Sequence, residues 1–259
     1  MYWFEQGLCV LPAFLVVWSS ATFIICYIIA IYRHDVDVIF PYISDTGVSP
    51  PESCIFGLMT FISACAGVGT IYARYKHVEL LREDATNVSA RLNKAALWLG
   101  VISCFGMCIV ATFQETVVQI VHDIGAILFF VCGIVYIILQ CFISFQAHPY
   151  GCSKYVFCVR VAIASLAAVA FVPTVICAFY VKQTELHRQK HDKDYPFHVA
   201  SAVCEWIVAF TFVFFFFTYI HDFKVSISLS HIVYSFLIYI YSFAKILLFL
   251  FSYSSLPYG

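Results

Sequence analysis

The chain has 259 residues, of which 63% are hydrophobic and only 11% charged, against roughly 25% charged in a soluble domain. So little charge does not coat a water-facing surface, which excludes a soluble protein of one domain or of two. The 14 Lys and Arg against 15 Asp and Glu leave a net charge of -1, removing the basic field that a nucleic-acid partner needs.

A helix crossing the hydrocarbon core takes about 20 apolar residues, and six segments qualify. Backbone groups find no partner in lipid, so such runs are helices; the alternating ten-residue segments of a barrel do not occur. The first span is Leu8–Tyr32. It lacks a basic start, with only Glu5 charged before it, and is too long for a signal-peptide core, so it reads as a retained helix. The loop after it runs Phe40-Pro41-Tyr42-Ile43-Ser44-Asp45-Thr46-Gly47-Val48-Ser49-Pro50-Pro51-Glu52. Its prolines and glycine fix turns, making it either a recognition surface built on Pro41, Tyr42, Asp45, Thr46 and Gly47 or a lid tying the first two helices together.

The second span, Cys54–Ala73, stops at Arg74-Tyr75-Lys76, and the third is Ala95–Phe113. Cys104 and Cys108 share a face of that helix and read as packing rather than a metal site. After Gln114-Glu115 the fourth span, Val117–Ser144, carries His122-Asp123 near its start. His148-Pro149-Tyr150-Gly151 separates it from the fifth, Tyr155–Val181. Cys152 and Cys158, beside the membrane there, are either acyl acceptors or plain thiols. No outer loop holds a cysteine pair, so no structural disulfide is expected. The charged run Lys182–Asp194 precedes the sixth span, Val199–Ile220. A last run, Ile232–Phe251, is long enough to cross, but Lys245 near its middle costs about 2.5–3.5 kcal/mol. The fold expected is therefore an all-α, polytopic transmembrane bundle: residues 1–224 form six helices, residues 225–259 a hydrophobic C-terminal extension, and a seventh helix is left open.

With the N-terminus in the cytosol, the inner segments hold Arg74, Lys76, Arg82, Arg91, Lys94, Lys154, Arg160 and Lys224. The outer loops hold Arg33, Lys182, Arg188, Lys190 and Lys193, so the excess of bases favours this orientation. It puts the sequon Asn87-Val88-Ser89 in the cytosol, where it stays bare.

Nearly all the charges fall in loops; only Glu205 and Lys245 lie deep in apolar runs. Ionisable groups in spans are costly and mark function. His198, Ser201 and Glu205 share one helix face, with Glu205 about 10 Å below His198, and His122-Asp123 open the fourth helix on the same side. Together they make a candidate polar cleft reached from the non-cytosolic face, suited to proton or ion handling or to a lipid hydrolase with a histidine base. The plainer reading is a carboxyl hydrogen-bonded within the bundle and an interfacial His-Asp pair. The histidines at 187, 191 and 198 would add positive charge to the fifth loop in an acidic lumen, or simply be solvated. No zinc-protease signature, phosphate loop or nucleophile elbow is present, and no cofactor is implied.

Several motifs occur together and in order: Trp18-Ser19-Ser20-Ala21, the Pro41–Gly47 loop, Pro51-Glu52-Ser53, Arg74-Tyr75-Lys76, Phe113-Gln114-Glu115, Val121-His122-Asp123, Asp194-Tyr195 and Cys204-Glu205-Trp206. In this arrangement, over roughly residues 1–224, the chain resembles the DRAM family of damage-regulated autophagy modulators, most of all the family's founding stress-induced member. The resemblance implies a six-helix protein of the lysosomal and other endomembranes that promotes autophagy, and in some settings cell death, after DNA damage. It implies action through membrane lipids and membrane or autophagy-machinery proteins rather than catalysis. It carries no catalytic residues. The tail departs from it: members end in a short polar segment after the equivalent of Asp222-Phe223-Lys224, where this chain continues with Val225–Phe251. Tyr253-Ser254-Ser255-Leu256 has the shape of a sorting signal and reads as accidental. The competing expectations are a proton, ion or solute transporter using Glu205 and His122/Asp123, and an intramembrane lipid-modifying enzyme.

Overall fold

Residues 9–84, 87–181 and 185–223 are described by the computed structural model. The run Ile232–Phe251, Lys245, the extension 225–259 and Tyr253–Leu256 lie outside the described residues. Within them the chain is helical: α1 (Val10–Tyr32), α2 (Glu52–Asp84), α3 (Ala90–Thr112), α4 (Gln119–Gln146), α5 (Lys154–Ala178), α6 (Tyr195–Phe217) and a short continuation, α7 (Tyr219–Phe223). Six stretches are long and apolar enough to cross a membrane, α6 and α7 together making the last. The protein is a multi-pass membrane protein. Its outward faces carry large apolar side chains such as Val17, Ile28, Phe105 and Val169 in the open, as lipid-facing helices do.

Each helix packs on its neighbours in the chain, and α6 closes against α1, giving an up-and-down ring. Close approach is set by small residues. A Cβ on Gly106 of α3 would run into the backbone of Gly125 and Phe129 in α4, so these two helices touch backbone to backbone.

Five of the six expected spans match their helices to within a turn or so. The second does not. α2 runs on through Arg74-Tyr75-Lys76 to Asp84, and its 33 residues reach about 50 Å at 1.5 Å per residue, longer than the hydrocarbon core. A drop in hydropathy ends a span without ending a helix. No proline or glycine follows Arg74 within α2, Lys76 pairs with Glu79 one turn on (2.8 Å), and Asn93 of α3 donates to the Tyr75 carbonyl (3.0 Å).

The expectation that nearly all charges lie in loops also needs correction. Arg74, Arg160 and Asp222 are buried side chains inside the bundle, at the end that the orientation expected from the Lys and Arg count places toward the cytosol, named the inner end on that basis. Arg74 Nη1 donates to Asp222 Oδ2 (2.9 Å) and Arg160 Nη2 donates to the same oxygen. Gln140 accepts from Arg74 Nε (3.2 Å), while Ser144 and Thr218 accept from Arg160 (2.8 and 2.9 Å). Both guanidinium groups lie over the ring of Tyr219, at 5.3 and 5.0 Å, and its hydroxyl meets that of Tyr136 (2.9 Å). One carboxylate thus joins α2, α5 and α7, and the two arginines carry the network on to α4 through Gln140 and Ser144.

No disulfide joins any cysteine among the described residues. Cys152 is buried and receives Arg160 Nη1 on its sulfur (3.5 Å), whereas Cys158 is exposed.

Candidate functional site

At the other end of the bundle, where the first, third and fifth loops meet, lies a cavity of about 460 Å³. α4 supplies His122 and Asp123, α6 supplies Ser201 and Glu205, the first loop Tyr42 and Ser44, and the third loop Glu115; Phe23, Phe56, Phe129, Phe130, Phe171 and Phe179 form apolar walls. Acid, imidazole and hydroxyl groups thus sit in a mainly apolar pocket, the usual make-up of a small-molecule site.

Glu205 is buried, and its Oε2 accepts the backbone N–H of Ile43 (3.1 Å). The carboxyl therefore also pins the first loop. Ser44 next to it donates to Glu115 Oε2 (2.8 Å), and His122 Nε2 stands 3.8 Å from the same oxygen. His122 gives its Nδ1–H to the Phe113 carbonyl (2.7 Å), which fixes the ring with Nε2 toward the acid. Asp123 lines the cavity and is half-buried.

His198 does not reach the cavity. Its ring packs edge-on against Tyr42 (4.9 Å) and its Nε2 accepts from Arg188 Nη1 (3.5 Å). Arg188, buried in the fifth loop, also donates its backbone N–H to Asp37 of the first (2.7 Å). Asp37 further faces His187 (3.2 Å). The fifth loop is thereby tied to the first, and His198 serves that joint.

The segment from Pro41 to Gly47 folds inward. Pro41, Tyr42, Asp45, Thr46 and Gly47 are all buried; the apolar side chains left open in this loop are Val38, Ile39 and Phe40. Trp206 of α6 donates its indole N–H to the Pro41 carbonyl (2.9 Å). Thr46 caps the turn through the Ile43 carbonyl (2.7 Å), and Tyr42 N–H donates to Asp45 Oδ2 (3.1 Å). Gly47 lies flat on Phe56 of α2, where a Cβ would overlap the ring. Burial pushes the Asp45 carboxyl well above the usual carboxylate range, and the charges of Glu115 and Glu205 push it further. Glu115 is raised for the same first reason, burial, with His122 and Ser44 pulling back. Burial also raises Tyr42.

The model for the Frag1/DRAM/Sfk1/Cwh43P N-terminal domain matches residues 7–226. Human (Homo sapiens) DNA damage-regulated autophagy modulator protein 1 is 45% identical over 212 residues, covering 82% of this chain and 89% of that protein. The chain belongs to the Frag1/DRAM family. Its relatives include DNA damage-regulated autophagy modulator protein 2 of Rattus norvegicus, 42% identical over 220 residues with 82% of each chain covered. Modulator of macroautophagy TMEM150B of Danio rerio is 32% identical, covering 78% of this chain and 79% of its own length. No solved structure matches. The Frag1/DRAM match takes in every described helix and both polar clusters, and ends where the hydrophobic extension begins.

Glu205, His122 and Asp123, each suggested by sequence, come together in one cavity, while His198 stands behind it. Glu115 was not singled out as a site residue. The available signal was a lone acid in a loop only a few residues long between two spans, too short to carry it away from the bundle. Among the described residues, no group of three or more His, Cys, Asp or Glu is placed to hold a metal ion.

Proposed function

We propose that this protein resides in the lysosomal membrane, positively modulates autophagy and stress-linked apoptosis after DNA damage, and works through membrane lipids and membrane or autophagy-machinery proteins without catalysing a reaction. The observation that carries this reading is the likeness to DNA damage-regulated autophagy modulator protein 1, which spans 89% of that protein and so covers the bundle rather than one helix or loop. The engagement of Glu205, Glu115 and His122 in holding loops supports a structural use of these groups.

The test is deletion of the gene followed by re-expression of the tagged full chain. Autophagic flux, read as turnover of a lipidated autophagosome marker with lysosomal proteolysis blocked and unblocked, is expected to fall on deletion after DNA damage and to return on re-expression. The protein is expected to overlap a lysosomal marker. Unchanged flux in damaged cells, or a plasma-membrane distribution, counts against the proposal.

A proton, ion or solute pathway is the second reading, favoured by the meeting of Glu205, His122 and Asp123 at one cavity. It requires a route past Arg74, Arg160, Tyr136 and Tyr219, which fill the inner half. Proton-coupled flux in proteoliposomes, abolished by Glu205→Gln, supports it.

A further inference from the structure

The cavity at the outer end has an opening as well as a lining. Ile127 of α4 is 60% exposed and Phe179, just past α5, is 83% exposed, yet both belong to its wall. The cavity therefore reaches the lipid-facing surface between α4 and α5. Polarity changes along it. Glu115, His122 and Asp123 stand at the loop end, while Phe129 and Phe130 lie about two turns deeper on α4, roughly 10 Å at 1.5 Å per residue. That gradient runs in the direction of a lipid in the outer leaflet, with its head at the loops and its tail toward the membrane centre.

Charge indicates the head. Three carboxyl side chains, Glu115, Asp123 and Glu205, line the cavity with His122, and among the described residues no Lys or Arg does; the Arg188 guanidinium is engaged with His198 and Asp194. Aromatic rings supply the remaining wall, and ring faces attract cations. A separate observation points to a ligand. Thr60 of α2 is 96% buried by its 4% exposure, lines the cavity, and its hydroxyl has no hydrogen-bond partner. A buried hydroxyl without a partner is costly, and Thr60 carries that cost where it borders the cavity. We propose that this cavity binds a single-chain amphiphile with a cationic amine head, entering sideways from the outer leaflet between α4 and α5. The amine meets Asp123, Glu115 and Glu205, and the chain lies along Phe129, Phe130 and Phe171. The inference does not depend on the autophagy reading, since a site of this kind suits a regulator, a carrier or an enzyme alike.

The experiment uses the full chain in phosphatidylcholine nanodiscs. The probe is a long-chain primary amine carrying a diazirine in its chain and a terminal alkyne; the matched long-chain alcohol and fatty acid are the comparators. Irradiation is expected to label residues 119–130 and 171–181 saturably with the amine, and the alcohol is expected to label at least about ten-fold less, the scale of losing a charged hydrogen bond. Ala126→Trp fills the hollow, keeps every carboxyl, and is expected to remove the labelling. Combined Glu115→Gln, Asp123→Asn and Glu205→Gln is expected to bring amine and alcohol to the same level. Equal labelling of the wild type by amine and alcohol, stronger labelling by the fatty acid, or amine labelling spread over the lipid face and unchanged by Ala126→Trp overturns the proposal. Because Ala126→Trp leaves the polar network intact, the test survives if the triple variant does not fold.

Discussion

At the inner end of the bundle, Asp222 is clasped by Arg74 and Arg160 in a space that their own side chains and Tyr219 fill. At the outer end, Glu115, Asp123 and Glu205 surround a hollow of about 460 Å³, and the contacts of Glu205 and Glu115 are a backbone N–H, a serine and a histidine. Both ends place charge-bearing groups inside apolar helices. A charge removed from water is tolerated when it is paired and hydrogen-bonded, and the inner cluster meets that condition from its own residues at every charged group, with only Arg74 Nη2 left without a hydrogen bond. The outer cluster is matched only in part and keeps room beside it. Dense pairing marks a fastener, whereas incomplete pairing around open space marks a place to receive something.

The largest effect expected from disturbing this contrast is at the fastener. Asp222→Leu leaves two buried guanidinium groups without their anion, and removing one partner of a buried pair costs about 3–5 kcal/mol, a large part of a typical folding free energy. The protein is expected to lose its monodisperse elution and cooperative thermal transition in mild detergent. Replacing Arg74, Arg160 and Asp222 together by Leu should recover much of the loss, because no charge is then stranded. A single Asp222→Leu variant melting like the wild type would refute the fastener.

A smaller, local effect is expected at the outer end. Glu205→Leu removes the acceptor of Ile43 N–H and leaves a buried donor unmade, worth about 1–3 kcal/mol, while Glu205→Gln keeps an acceptor oxygen. Hydrogen exchange at residues 42–47 should therefore speed up strongly in the first variant and little in the second, with the amides around Tyr219 unchanged in both. If the two variants loosen the loop equally, Glu205 does not hold it through Ile43.

How far the sequence carries depends on the kind of residue. Glu205 stood out because an acid amid Val199–Ile220 has no loop to retreat to. Arg74, Arg160 and Asp222 lie within two turns of the expected span ends, where a charge reads as interfacial; only the neighbouring helices reveal that they turn inward to one another. His198 shares a helix face with Glu205, yet the fifth loop folds over it, and a loop's path cannot be read from helical periodicity. The rings and prolines of the first loop indicated stiffness. Its burial against α6 depends on Trp206 and Glu205, more than 160 residues further along the chain, a separation that no local pattern conveys.

Acidity should separate the two ends. The Asp45 carboxyl is raised in the folded protein by burial and by the neighbouring acids, and Glu115 is raised too. A raised carboxyl contributes stability that is fully present below its unfolded value of about 4 and is lost as pH rises through the folded one. The loop joint is therefore expected to tighten as pH falls from neutral toward the usual carboxylate range. Protease cleavage in the Val38–Phe40 segment should slow over that interval, and Asp45→Asn should flatten the profile. Cleavage that quickens with acid in the wild type contradicts the sign.

The smallest effect expected is at Trp206, and it asks whether the ends are independent. Its ring packs against Tyr27 at 5.7 Å and Phe210 at 6.0 Å, contacts that phenylalanine largely keeps, so Trp206→Phe removes chiefly the indole N–H given to the Pro41 carbonyl. One hydrogen bond is worth about 0.5–1.5 kcal/mol net. That carbonyl is the only backbone hydrogen-bonding group Pro41 has, so its loss should be felt at once by Tyr42 and Ile43, whose amides hold Asp45 and Glu205. Exchange of those two amides is expected to rise several-fold with little change in the thermal transition. The Arg74–Asp222–Arg160 cluster shares no partner with this contact, and effects at sites without shared partners usually stay separate. Exchange near Tyr219 rising in step with Ile43 would mean that the hollow and the fastener open as one unit, and that a ligand seated between α4 and α5 would be felt across the bundle.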